Sequence, residues 1–98
     1  SLNLPPHRIG KEGILEDALV NEACVINGKV KNSVLFSNVK VEEGAEVCDS
    51  VLLNGSKVKA GVKIYNCVVA EDIEITENIG KEGEDKVYLV SSEGIEEE

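Results

Sequence analysis

The sequence predicts one all-β domain wound as a single-stranded parallel β-helix, a solenoid whose coils each contain three short strands. A 17-residue shift superposes the middle of the chain on itself: Val34, Val51 and Val68 share a column, as do Leu35, Leu52 and Val69, then Val41, Val58 and Ile75, then Val30, Val47 and Ile64. A fixed internal period of this length marks a solenoid. Within each copy aliphatics recur about every six residues, as at Val41, Val47 and Leu53. That is neither the 3.6 of a helix nor the 2 of a long strand. Three faces of six would make about 18 residues per coil, so a period of 17 means that one corner is tightened by a residue. Aromatics are only 3%, with one Phe, two Tyr and no Trp. Stacked Val and Ile can fill a narrow prism without rings, each about 4.8 Å above its copy.

Taken in order, residues 1–16 carry no repeat, and Pro5-Pro6 blocks both helix and central strand, so they read as an extended lead-in or linker. Ser1-Leu2 reads as a vector remnant. Residues 17–80 form the β-helix, about three and a half coils. Its first copy is shorter, since Ala18-Leu19-Val20 aligns with Ser33-Val34-Leu35 at a spacing of 15, two residues being lost near Gly28-Lys29. The valine column, Val51 included, is expected to face the dry interior, with Lys57, Glu42, Glu43 and Glu46 outside. Ala45, Val62 and Ile79 form a further column, and Gly44, Gly61 and Asn78 read as one turn position repeated three times, because Asn is the residue most able to replace Gly at positive φ. Residues 81–98 supply a polar turn, one more strand at Lys86-Val87-Tyr88-Leu89-Val90, and an acidic, frayed tail. Open solenoid ends need caps or partners, so the first coil is expected to abut another domain and a flat face or the last strand to pack against another subunit.

Composition excludes several functions. Ninety-eight residues make one domain. Ten basic against 19 acidic residues give a formal charge of −9, which argues against nucleic acid as a partner. The longest apolar runs, such as Cys67-Val68-Val69-Ala70, fall far short of the ~20 residues of a membrane span. No secretory signal pattern opens the chain. Cys24, Cys48 and Cys67 are widely spaced and accompanied by one His, which suits free thiols in a reducing cytoplasm and not a zinc site.

Chemistry is equally sparse. His7 lies outside every coil, Ile9-Gly10-Lys11-Glu12-Gly13 lacks the spacing of a phosphate loop, and the Ser and Cys residues have no accompanying base. No residue is therefore assigned a catalytic, cofactor-binding or metal-binding role. Lys29, Lys31, Lys40, Lys57, Lys59 and Lys63 face outward, where some could meet an anionic effector.

The six-residue pattern of Val41-Glu42-Glu43-Gly44-Ala45-Glu46 and Val58-Lys59-Ala60-Gly61-Val62-Lys63 resembles the hexapeptide repeat, which implies a left-handed helix. The succession Pro5-Pro6, Ala18-Leu19-Val20-Asn21-Glu22-Ala23-Cys24-Val25-Ile26-Asn27-Gly28, Val30-Lys31-Asn32-Ser33-Val34-Leu35-Phe36 and Asp49-Ser50-Val51-Leu52-Leu53 resembles the C-terminal domain of bacterial glucose-1-phosphate adenylyltransferases. That resemblance implies a larger cytoplasmic enzyme that makes ADP-glucose from ATP and glucose 1-phosphate with Mg²⁺, for glycogen synthesis. It places catalysis in an N-terminal domain outside this sequence, and gives the β-helix a part in oligomer contacts, in a tetramer, and in regulation. Ala23 stands where the family often has Gly, and Val68-Val69-Ala70-Glu71-Asp72 is acidic where many members carry a basic residue that helps hold an activator. A catalytically impaired regulatory paralogue shares the same tail. The alternatives are a hexapeptide acyltransferase, which would need a histidine base, and the tail of another sugar-nucleotide pyrophosphorylase, such as one making GDP-mannose.

Overall fold

The computed structural model describes residues 4–98, so the reading of Ser1-Leu2 lies outside the described residues. The chain winds through about five coils of a parallel β-helix, the all-β hexapeptide solenoid that the sequence predicts. The first coil holds β1 (Arg8–Ile9), β2 (Ile14–Glu16) and β3 (Leu19–Val20). The second holds β4 (Val25–Ile26), β5 (Lys29–Lys31) and β6 (Val34–Leu35), and the third β7 (Lys40–Val41), β8 (Glu46–Cys48) and β9 (Val51–Leu52). The fourth holds β10 (Lys57–Val58), β11 (Lys63–Tyr65) and β12 (Cys67–Val69). The last begins with β13 (Glu74–Ile75), touches β11 through the single bridge Ile64↔Ile79, and ends with β14 (Tyr88–Ser91), after which β15 (Gly94–Glu97) turns back antiparallel. Three sheets result, in the orders β1-β4-β7-β10-β13, β11-β8-β5-β2 and β15-β14-β12-β9-β6-β3.

Two boundaries differ from the sequence reading. Residues 8–16, expected as a lead-in, already form two strands of the first coil, with Arg8 opposite Val25 and Leu15 opposite Val30. The tail, expected to fray, is held as a strand because Gly94, at φ 120°, lets the chain reverse and pair Val90 with Ile95. Adding these segments to the repeat raises three and a half coils to about five.

The interior is a stack of aliphatics, Ile26, Val30, Leu35, Val41, Val47, Leu52, Val58, Ile64 and Val69, all buried. After a four-residue step from Ile26 to Val30 their spacing runs five, six, six in turn, and the five-residue step always crosses the tight corner, the one that contains Asn32, Asp49 or Asn66 and, in the first coil, Asp17. This is the tightened corner that the period of 17 requires. One residue fewer flips the following strand, because side chains alternate between faces. The buried column of the third sheet is therefore Leu35, Leu52 and Val69, while Val34, Val51 and Val68 are only half-buried and face outward. The expectation that Val51 faces the interior is corrected accordingly.

The corners follow backbone sterics. Asp17, Asn32, Asp49 and Asn66 have φ between 49° and 55°, and a second corner repeats Ala23, Asn38, Gly55 and Asp72 at positive φ. Asn, Asp and Gly tolerate this left-handed region best. Ala23, at φ 61°, is the one corner residue with neither advantage. Gly44 and Gly61 form the third corner at φ 79° and 76°. Asn78 does not belong with them. The corner after β13 is two residues shorter, so Ile79 pairs with Ile64 and not with the Val62 column, and the Asn78 side-chain oxygen accepts a hydrogen bond from the Lys63 amide at 2.8 Å. The other shortened corner lies between Ile26 and Lys29, where Asn27 and Gly28 replace four residues, as the spacing of 15 predicts.

Candidate functional surfaces

Hydroxyls buried at the tight corner hold the coils together. The Ser50 amide donates to Ser33 Oγ at 3.0 Å and the Cys67 amide to Ser50 Oγ at 3.0 Å, while the two hydroxyls donate to the carbonyls of Lys31 and Cys48. Cys67 continues the row, its thiol 3.4 Å from the Tyr65 carbonyl. This explains why Ser, Ser and Cys share a column, since each must fit inside the prism and bond to backbone. Asn32 Nδ2 reaches Asp49 Oδ1 at 2.6 Å on the outer side of the same corner.

None of the three thiols is set up as a nucleophile. Burial raises the titration of Cys24 and Cys48 and pushes Cys67 up to about 11, the opposite of what a reactive thiolate needs. All three cysteines are free. His7 lies exposed just before β1, outside the coils, and among the described residues no three His, Cys, Asp or Glu side chains converge on one point. Near the last coil Tyr88 donates to Glu84 Oε1 at 2.8 Å, which pushes its phenol up to about 12. Asn66 Nδ2 donates to the Glu84 carbonyl at 2.8 Å, so these contacts pin the 80–86 loop against the helix.

One buried polar atom among the described residues has no protein partner, Ser56 Oγ. Ser56 is fully buried in a column with Cys24, Val39 and Ile73. An unbonded buried hydroxyl costs about 1–3 kcal/mol. Ser56→Val, which matches Val39 on one side and Ile73 on the other, is expected to stabilise the chain by about 1 kcal/mol and raise the thermal midpoint by about 4–8 °C. Scanning calorimetry checks this, and a lower midpoint would mean that the hydroxyl has a role in the interior.

The three outer faces differ in chemistry. The first sheet presents Arg8, Val25, Lys40, Lys57 and Glu74, with Lys59 between Glu42 and Glu74 at 3.7 and 3.8 Å. The second presents Ile14, Lys29, Glu46 and Lys63, with Lys63 3.9 Å from Glu46. These exposed pairs contribute at most about 1 kcal/mol each. All six coil lysines face outward, as expected, but three of them are engaged with carboxylates: Lys57, Lys59 and Lys63. The third sheet has no charged side chain across its five parallel strands. Its outward column is Leu19, Val34, Val51, Val68 and Leu89, beside a second column of Asn21, Phe36, Leu53, Ala70 and Ser91.

The two ends of the solenoid also differ. In the first coil Ile9 and Leu15 occupy inward columns yet are 42% and 36% exposed, whereas Ile26 and Val30 below them are at 0%. That end is open. At the other end β15 closes the third sheet antiparallel and carries Glu96 and Glu97, a charged edge that discourages further strand addition.

Sequence reasoning assigned no site residue; it expected the first coil to abut another domain and a flat face or the last strand to meet another subunit, without locating the end or the face. The open end was hidden because residues 8–16 are Gly- and charge-rich, and the uncharged face because its valines were taken for core. The available signal was the pair of adjacent apolar columns, 34/35, 51/52 and 68/69, of which only one can point inward on a strand.

A family profile described as GlmU-like, C-terminal hexapeptide matches residues 5–96. The chain is 40% identical over 75 residues to a glucose-1-phosphate adenylyltransferase of Acetivibrio thermocellus, an alignment that covers 76% of this chain and 18% of that protein. It is 44% identical over 73 residues to proteins of the same name from Bacillus thuringiensis and Bacillus cereus, covering 74% of this chain and 19% of theirs. The chain thus spans about a fifth of the length of these curated relatives.

Proposed function

Because the chain belongs to the GlmU-like C-terminal hexapeptide family, we propose that it is the C-terminal β-helix of a glucose-1-phosphate adenylyltransferase. The observation that carries this reading is the 40–44% identity to enzymes of that name across three quarters of the chain. In the parent the domain serves assembly and regulation, in a cytoplasmic tetramer that forms ADP-glucose and diphosphate from ATP and glucose 1-phosphate for glycogen synthesis. Nucleotide and Mg²⁺ do not fit the residues present here, since no carboxylate cluster and no glycine-rich phosphate loop exists among the described residues. The reading therefore leaves nucleotidyl transfer to another domain of the parent. The open first coil, with Ile9 and Leu15 uncovered, is the end that such a domain would cover.

The test is an assay of the parent polypeptide that carries this chain. It is expected to release diphosphate from ATP and glucose 1-phosphate in the presence of Mg²⁺, with little release from GTP and mannose 1-phosphate. The reverse preference, or acyl transfer in place of diphosphate release, overturns the proposal.

A further inference from the structure

We infer that the uncharged face of the third sheet is a self-association surface on which a second copy of this chain packs, about a two-fold axis parallel to the strands and passing along β9. The first support is charge. In a chain of net charge −9, two copies repel over most of their surface, and the other two sheets present Lys, Arg and Glu outward. Only the third sheet has five parallel strands whose outward columns carry no charge, which is the depletion that marks the core of an interface.

The second support is self-complementarity, which an isologous contact requires. An axis along β9 lays each strand over the one equally far on the other side. Val51 then meets Val51, Val34 meets Val68, and Leu19 meets Leu89, so that the largest side chains of the column pair at its two ends. In the neighbouring column Leu53 meets Leu53, the bulky Phe36 meets the small Ala70, and Asn21 meets Ser91. Leu19 at 70% exposure and Phe36 at 39% are the members with most surface to cover.

Relief matches as well as size. A groove of about 560 Å³ runs beside Leu19, Val34 and Val51 on the half of the face nearer the first coil, with Asp17 and Asp49 lining it on the side of the tight corner. The opposite half carries Val87 and Leu89, both substantially exposed, and the two-fold places them over the groove of the other copy. From the molecular extents of 35 × 25 × 21 Å the face offers about 500 Å² per copy, below the ~800 Å² per partner of a standard-size interface, so the contact belongs with the small, weak ones. Asp49, exposed at the corner that leads into β9, lies at the rim on the axis and faces its own copy. It limits affinity and supplies a test.

The inference names the surface for the assembly proposed above and rests on that reading only for its use in a parent enzyme. The nucleotide assay tests that reading, and solution assembly of this chain tests the surface. Sedimentation equilibrium of the 98-residue chain from about 1 to 300 μM is expected to show a monomer–dimer equilibrium. Val51→Lys, outward on the axis, is expected to weaken it at least about tenfold, and Asp49→Asn, which keeps the acceptor for Asn32 and suits positive φ, to tighten it about threefold or more. A wild type that stays monomeric at about 300 μM overturns the inference, as does an assembly that neither variant moves. Should Val51→Lys fail to fold, the Asp49→Asn shift decides alone.

Discussion

Leu52→Asp is expected to abolish the folded state, whereas Val51→Asp, one residue earlier, costs about 1 kcal/mol or less. Leu52 is fully buried between Leu35 and Val69 in the stacked column of the third sheet. The substitution forfeits about 2–3 kcal/mol of apolar burial and puts a carboxylate where no donor is available, at a further cost of several kcal/mol. A 98-residue domain has about 5–15 kcal/mol in total, so no cooperative transition is expected. The carboxyl would be neutral more readily than in the unfolded chain, its folded pKa lying above the ordinary value of about 3.9. A raised pKa means that the folded state binds the proton more tightly, so stability is greatest at low pH and lost as pH rises through the folded pKa. Far-UV circular dichroism against temperature at neutral and acid pH reads both effects. Equal damage at positions 51 and 52 would sink the assignment of the tight corner.

That pair of residues also shows where sequence reasoning stops. The 17-residue period, the tightened corner and the two residues lost near Gly28 are legible because each is a matter of counting along the chain. Which corner is tight is not legible by counting, and it decides which of two adjacent apolar columns is core. Val51 and Leu52 have nearly the same hydrophobicity, and only the five-residue step across Asp49 places Leu52 inside. The slip at Ile79 has the same origin. A corner shortened by two keeps the alternation of faces, so Ile79 still points inward and a 17-residue ruler places it opposite Val62 when it pairs with Ile64.

The first coil was missed for a different reason. Ile9, Ile14 and Leu15 carry the inward and outward pattern, but Gly10, Lys11, Glu12 and Gly13 fill the corner between them and break the run of valines. Here the fold is set by pairing with the coil below, through Arg8 to the Cys24 carbonyl and Gly10 to the Ile26 carbonyl at 2.8 and 2.7 Å. Local composition alone does not reveal such pairing. Which flat face would meet a partner was illegible on the same ground: an uncharged face exists only once register is known.

Gly28→Ala is expected to cost about 3 kcal/mol, more than Gly61→Ala, although Gly61 is the one with a left-handed backbone. At Gly61 the φ of 76° penalises any Cβ, by about 1–2 kcal/mol, but nothing lies within 4 Å of where that Cβ would stand. Gly28 has the opposite problem. A Cβ there would lie 2.4 Å from the Ala45 carbonyl oxygen and 2.8 Å from that of Glu42. Both are backbone atoms of the four-residue corner in the next coil, against which the two-residue corner is pressed, and no rotamer change relieves the contact. Making room means pushing the coils apart where the Lys29 amide donates to the Ala45 carbonyl at 2.9 Å and the Asn27 amide to the Val41 carbonyl at 2.7 Å. Those bonds hold the second coil to the third, and the buried Val41 lies against the same spot, with Cγ1 3.0 Å from the added methyl. Urea denaturation of the two variants, with slopes compared to confirm that each unfolds as one unit, checks the order. If Gly61→Ala proves the more costly, backbone conformation and not close approach limits the short corner, and the account of how a 15-residue coil stacks on a 17-residue one fails.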